Sequence, residues 1–117
     1  DSFLEEPEGQ LTVDVFQDED NIYVQSAVAG LSPEDLEINI TKESVTIRGK
    51  RERTQKITEK NFFYQECFWG RFSRSIVLPQ EINAEKSGAS LKNGILTIKM
   101  PKLEKRKIKN IRVKEEE

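Results

Sequence analysis

Apolar and polar residues alternate with a period of two along most of the chain. The clearest runs lie at 11–15, 22–28, 36–40, 45–47, 72–78 and 95–100. Such alternation turns one face of a strand towards a core and leaves the other face in water. The pattern therefore predicts about seven strands joined mostly by short turns, which is typical of an all-β antiparallel sandwich.

Helical signals are confined to one short segment. Ser32 is a favourable N-cap, Pro33 suits the first helical position, and Glu34 and Asp35 suit the positive end of a helix. Because predicted strands flank this segment closely, we expect one helical turn.

Two charged segments interrupt the strand pattern. Residues 50–61 contain Ile57 as their single apolar residue, and residues 102–117 form a charged tail. We predict a sandwich domain at 11–101 that includes the loop 50–61, followed by the tail at 102–117. Since the chain begins at Asp1 rather than at Met, we expect residues 1–10 to be the remnant of an N-terminal arm.

The net charge of −2 predicts no general attraction to nucleic acid, but the charges are unevenly distributed. Residues 1–20 carry eight acids and no base, whereas residues 102–114 carry seven bases and one acid. This asymmetry indicates a tail that contacts another surface. A nucleic-acid partner is disfavoured because the tail has no aromatic residues and ends in three glutamates.

The residue types present argue against an enzyme. The chain has no histidine and one cysteine, Cys67. Cys67 could be a nucleophile, but no base is available to activate it. We therefore expect no catalysis, cofactor or metal site. A single cysteine fits a reducing, cytoplasmic location, and the absence of a run of about 18 apolar residues predicts no membrane span.

Four motifs make the chain resemble the α-crystallin domain of small heat-shock proteins. Residues 29–36 (AGLSPEDL) are similar to the family's Pro-Gly-x-x-x-x-Asp segment, with Ala29 in place of proline. Residues 70–79 (GRFSRSIVLP) resemble its Gly-x-Phe-x-Arg-x-x-x-Leu-Pro strand, and residues 89–96 (ASLKNGIL) match Ala-x-x-x-x-Gly-x-Leu at every fixed position. Residues 111–113 (IRV) resemble its Ile-x-Ile/Val anchor. Each motif alone is weak, but four in this order and spacing are specific.

The resemblance implies an immunoglobulin-like β-sandwich with an extended C-terminal tail. It also implies an ATP-independent chaperone that holds unfolding client proteins, prevents their aggregation, and assembles from homodimers into oligomers. The structural signature residues are Gly30, Asp35, Gly94 and Leu96. Asn93 and Gly94 also form a hairpin turn that requires positive φ angles.

The charged loop is a candidate dimerisation element. In bacterial and plant members of the resembled family, a long loop reaches the neighbouring subunit and adds a short strand to its sheet. Thr54, Ile57 and Thr58 would form that strand, and it would pair with residues 11–16, which include Leu11 and Val13. The alternative is a disordered, solvated loop.

Arg74 lies in register with Phe72 and Ile76, on a face that should point inward or into an interface. A charge there needs a partner. The matching arginine of the resembled family pairs with acids at the dimer interface. The alternative is a solvated arginine on a strand edge.

The tail carries a candidate internal ligand. In an extended chain, Ile111 and Val113 point the same way, about 7 Å apart, like a peptide with two anchoring side chains. The expected groove lies between strands 35–41 and 87–92, with Leu36, Ile38, Ile40, Ala89 and Leu91 as its lining. The alternative is a disordered tail with two incidental apolar residues.

A co-chaperone adaptor of the CS-domain type is the rival interpretation. It would use a similar sandwich to bind one folded partner. The tail anchor and the signature at 89–96 argue against it.

Overall fold

The computed structural model describes residues 9–103 and 111–116. These residues form eight strands: β1 (Gly9–Gln10), β2 (Asp14–Gln17), β3 (Asn21–Ala27), β4 (Leu36–Ile40), β5 (Ser44–Arg51), β6 (Gly70–Val77), β7 (Gly88–Lys92) and β8 (Ile95–Pro101). Short 3₁₀ turns lie at Pro33–Asp35, Glu59–Asn61 and Ala84–Lys86. Eight strands form instead of about seven because β1 has only two residues and shows no alternation that a sequence could reveal.

The strands form two four-stranded sheets, which confirms the predicted β-sandwich. The first sheet has the order β1-β6-β5-β4, and the second has the order β2-β3-β8-β7. All pairs are antiparallel except the two-residue pair of β1 and β6, which is parallel. In the first sheet β4 is an edge strand, and in the second β2 and β7 are the edges.

The period-two pattern is visible in the burial of the central strands. In β3, Ile22, Val24 and Ser26 are buried, while Tyr23 and Gln25 are partly exposed on the other face. The core between the sheets consists of Leu11, Ile22, Val24, Val28, Leu31, Val45, Ile47, Phe72, Leu78, Ile82, Leu96, Ile98 and Met100.

The prediction of a strand at 11–16 is wrong for its first three residues. Residues 11–13 form no strand, because the chain crosses there from the first sheet to the second. The Leu11 N–H donates to the Ser73 carbonyl at 3.4 Å, and the Ser26 hydroxyl donates to the Thr12 carbonyl at 2.7 Å. The segment is therefore fixed to both sheets, and only Asp14–Gln17 runs along the second sheet as an edge strand.

The predicted turns are confirmed. Asn93 and Gly94 have φ angles of 52° and 77°, and a Cβ on Gly94 would approach the Ala29 Cα to 3.3 Å. The helical turn at Pro33–Asp35 has proline at its start, and the Asp35 carboxylate accepts hydrogen bonds from the Ser32 N–H and hydroxyl, both at 3.0 Å.

Candidate functional site

A groove of about 300 Å³ opens between the two sheets on one side of the sandwich. One wall comes from the 3₁₀ turn and β4, the other from β7, and buried Leu96 lies beneath them. The lining residues are Pro33, Leu36, Ile38, Ala89, Ser90, Leu91 and Leu96. The structure thus brings together four of the five residues expected to line a groove.

The groove exists because β4 and β7 are both edge strands, so within residues 9–103 and 111–116 no further strand covers the seam between the sheets. Leu36, Ile38 and Ile40 lie on the inner face of β4 and are partly buried. Ile40 packs against the core and is not among the lining residues, because the seam is open only nearer the start of β4. Pro33 and Ser90 line the groove although neither belongs to the apolar alternation that guided the sequence prediction.

The two apolar tail residues that were predicted to enter a groove are exposed. Ile111 is 78% exposed and Val113 is 91% exposed. Residues 111–116 have no regular secondary structure, and the basic residues between 104 and 110 lie outside the described part of the chain.

The second candidate surface is the free edge of β2. Within the described residues this strand pairs only with β3, so its other edge has unpaired backbone donors and acceptors. Val15 is 42% exposed although it lies opposite buried Val24, and the Phe16 ring stacks on Tyr23 with centroids 5.2 Å apart. Leu11 was expected on this surface but is buried, and Val13 is half-buried against the core.

A long loop connects β5 to β6, between Arg51 and Gly70. Thr54, Ile57 and Thr58 lie in it and are exposed, and none of them is in a strand of the isolated chain. Whether they pair with a second chain remains a prediction.

Sequence reasoning missed the most exposed aromatic residues of this loop. Phe63 and Tyr64 are 98% and 85% exposed. Adjacent large apolar side chains in water usually mark a contact surface. The available signal was the concentration of aromatics at 62–72, which does not follow the alternation of the strands.

Arg74 lies on the inner face of β6, opposite Ile47 of β5, and is half-buried as expected. Its guanidinium donates to the Leu11 carbonyl at 3.0 Å. This bond ties β6 to the crossing segment. A guanidinium has five N–H donors, so Arg74 keeps donors beyond this bond.

The turn between β2 and β3 is acidic, and the first residue of the tail is hydrogen-bonded to it. The Asp18 carboxylate accepts hydrogen bonds from the N–H of Asn21 at 2.7 Å, the Tyr23 hydroxyl at 2.8 Å and the N–H of Asp20 at 2.8 Å. In that order these bonds lower the pKa of Asp18, and the bond to Asp18 raises the pKa of Tyr23. Lys102 donates from its Nζ to the Asp18 carbonyl and from its N–H to the Asp20 carbonyl, both at 2.8 Å.

Across 9–103 and 111–116, no three His, Cys, Asp or Glu side chains come close enough together to hold a metal ion. In the same ranges no helix is long and apolar enough to cross a membrane. Cys67 is a free, exposed thiol in the β5–β6 loop.

The sequence is similar to known proteins over most of its length. The profile of the Hsp20/alpha crystallin family matches residues 14–114. Small heat shock protein C4 of Rickettsia felis is 33% identical over 100 residues, which are 86% of this chain and 61% of that protein. Small heat shock protein C2 of the same organism is 35% identical over 86% of this chain and 66% of its own length. The chain thus spans just under two thirds of these two relatives.

Solved structures of similar sequence share the fold. Heat shock protein 16.0 from Schizosaccharomyces pombe superposes with a TM-score of 0.75 at 32% identity, covering 92% of this chain and 100% of that one. The hspA protein from Xanthomonas axonopodis has a TM-score of 0.76 at 25% identity, covering 86% and 100%. With the sandwich, the signature turns and the profile match in agreement, the chain belongs to the Hsp20/alpha crystallin family of small heat shock proteins.

Proposed function

We propose that this protein is an ATP-independent chaperone that binds unfolding proteins and keeps them from aggregating, without catalysing a reaction. The observation that carries this proposal is the apolar groove between β4 and β7, which presents Leu36, Ile38, Ala89 and Leu91 to an extended apolar segment. Unfolding proteins expose such segments. The proposed location is the cytoplasm, which the single unpaired cysteine supports.

We propose that the same groove takes the tail of another subunit. Ile111 and Val113 are exposed and spaced to enter it together. Burying both side chains stabilises the contact by about 3–5 kcal/mol before the loss of entropy is counted. One such contact is weak, so assembly requires several tails binding at once. Weak contacts of this kind also let the tail leave and a client enter.

The assembling unit in this proposal is a twofold homodimer formed by loop exchange. The loop carrying Thr54, Ile57 and Thr58 reaches the partner's β2, whose free edge is Asp14–Gln17. The exposed Phe63 and Tyr64 of the same loop would cover partly exposed Val15. In this arrangement the remaining donors of Arg74 bind an acid of the partner.

The dimer is tested by removing part of the loop. Deletion of residues 52–60 leaves all eight strands intact but shortens the reach of the loop. We expect light scattering coupled to size exclusion to give the monomer mass, whereas the full chain gives at least the dimer mass. A deletion variant with the mass of the full chain would show that the loop does not join the subunits.

The chaperone activity is tested by light scattering from a heat-denaturing client, without ATP, at rising ratios of this chain. We expect scattering to fall as the ratio nears one subunit per client. Leu91→Asp, which places a charge in the groove, should require a higher ratio, and Lys92→Asp, on the neighbouring exposed position, should act like the wild type. Equal suppression by both variants would exclude the groove as the client site. A chain that never suppresses aggregation but binds one folded partner would be an adaptor.

A further inference from the structure

Arg53 has two aromatic contacts in a loop where its neighbours are exposed. Its guanidinium carbon lies 4.7 Å from the centroid of the Trp69 ring and 5.2 Å from that of Phe62. Both distances are within the range of cation–π attraction. Arg53, Phe62 and Trp69 are defined here as the loop clasp. Arg53 and Phe62 are partly buried, whereas residues 54–61 between them are exposed throughout.

The contacts of the loop clasp connect the two ends of the β5–β6 loop to its middle. The last strand pair before the loop joins Arg51 to Gly70. Arg53 therefore lies just after the loop leaves β5, and Trp69 lies just before it enters β6. Phe62, in the middle of the loop, is brought back to the same point. The clasp thus divides one long connection into a closed segment, 54–61, and a second segment, 63–68.

The two segments are further fixed at their ends. Within the first, the Asn61 N–H donates to the Thr58 carbonyl at 2.8 Å and forms the 3₁₀ turn Glu59–Asn61. At the end of the second, the Phe68 ring lies so close to Gly9 that a Cβ there would come within 2.7 Å of it. The exposed pair Phe63 and Tyr64 follows the clasp directly. Closing the loop in this way restricts the conformations of the unbound chain. Less conformational entropy is then lost when the loop binds another chain.

We propose that Arg53 is a positioning residue, which through Phe62 and Trp69 holds the β5–β6 loop in one shape before a second copy of the chain binds it. This inference rests on the proposed loop-exchanged dimer. Arg53 acts through the aromatic rings, and Phe63 and Tyr64 make the contact with the partner. Loss of the cation therefore weakens dimerisation without altering the contacting side chains.

Trp69 is the only tryptophan, so its fluorescence reports the clasp directly. Arg53→Gln removes the cation, Arg53→Lys keeps a cation, and Lys56→Gln removes the same charge from an exposed position of the same loop. Acrylamide quenching of Trp69 is measured on dilute protein, and the dimer dissociation constant is measured by sedimentation. We expect Arg53→Gln to increase quenching and to weaken dimerisation roughly five- to tenfold, as for the loss of two cation–π contacts. Arg53→Lys and Lys56→Gln should remain within about twofold of the wild type.

Two results would overturn the proposal. Unchanged quenching in Arg53→Gln would show that the clasp does not hold Trp69. Increased quenching with a dissociation constant equal to that of Lys56→Gln would show that the clasp does not prepare the loop for a partner. A wild-type chain that stays monomeric at every concentration would instead contradict the dimer itself, and the quenching comparison would still decide whether Arg53 orders the loop. Unfolding midpoints of all variants are compared so that a general loss of stability is recognised.

Discussion

At the scale of single residues, Gly49 shows how tightly the first sheet packs. A Cβ added to it would lie 2.5 Å from the Phe72 ring and 3.0 Å from the backbone oxygen of Asp35. Phe72 is itself buried, and the Asp35 oxygen belongs to the capped 3₁₀ turn, so neither neighbour moves easily. Gly88 is the opposite case, because a Cβ there would meet nothing within 4 Å.

Gly49→Ala is therefore expected to lower the free energy of unfolding by about 1–3 kcal/mol, the cost of overpacking a close-packed site. Gly88→Ala, the matched control, should be neutral or should stabilise by about 0.4–1 kcal/mol because it restricts the unfolded chain. Urea denaturation followed by circular dichroism measures both. Equal effects of the two substitutions would contradict the packing described for Gly49.

Folding changes the pKa of Asp18. Folding lowers its pKa because Asn21, Tyr23 and Asp20 all donate to its carboxylate. The charged form therefore stabilises the fold at pH values above the unfolded pKa of about 3.9, and this contribution is lost as the pH falls through the lower folded value.

We expect Asp18→Asn to lower the urea midpoint at neutral pH and the difference from the wild type to shrink as the pH falls below about 4. Glu19→Gln, in the same turn, should leave the midpoint close to that of the wild type. Urea titrations at several pH values make the comparison. A midpoint difference that stays constant down to the lowest pH would mean that the Asp18 charge is not responsible.

At the scale of elements, the strands differ in how much of the fold depends on them. The strand β5 pairs with β4 on one side and β6 on the other, and its inner residues Val45 and Ile47 are fully buried. Among the residues that the structure describes, β2 pairs on one side only, and its four residues are exposed. The interior of the first sheet supplies stability, whereas the edge of the second is available for binding.

Ile47→Ala in β5 should therefore cost about 2–5 kcal/mol of unfolding free energy, since it removes buried methyl groups and leaves a cavity. Val77→Ala, on the exposed face of β6, should change it by no more than about 0.5 kcal/mol. Thermal and urea unfolding measure both. A small effect at Ile47 would mean that the sheets are less closely packed than the burial of this residue indicates.

At the scale of the whole molecule, the fold separates its contact surfaces. The open seam between β4 and β7 is formed by edge strands of both sheets, while β2 forms the opposite edge of the second sheet. In the proposed assembly, a subunit could therefore bind a tail in its groove while its β2 edge pairs with a loop. The hydrogen bonds of Lys102 to the turn at Asp18 and Asp20 fix where the tail starts.

The double substitution Ile111→Ser and Val113→Ser should abolish assemblies larger than the dimer, because in the proposed assembly it removes both apolar side chains that would enter the groove. Arg112→Gln, between them, should leave assembly largely unchanged. Sedimentation velocity at matched concentrations provides the measurement. If the double variant assembles like the wild type, the tail does not join the dimers through these residues.

The features that depend on local chemistry can be predicted from the amino-acid sequence alone. Alternation placed Ile22, Val24 and Ile47 in the core, because in a strand every second side chain faces the same way. Asn93 and Gly94 specified their turn, because they tolerate positive φ angles. The order and spacing of the motifs at 29–36, 70–79, 89–96 and 111–113 were specific enough to indicate the family.

Which strands lie at the sheet edges, and therefore where the candidate sites lie, depends on tertiary packing that cannot be predicted from the sequence. The sequence does not reveal that residues 11–13 cross between the sheets, because Leu11 and Val13 alternate there as they would in a strand. It equally does not reveal that Pro33 and Ser90 line the groove or that Arg53 contacts Phe62 and Trp69. The groove joins residues far apart in the chain, and it depends on how the two sheets pack and on which strands lie at their edges. The contacts of Arg53 depend on how the long β5–β6 loop folds back on itself, which no alternation in the sequence indicates.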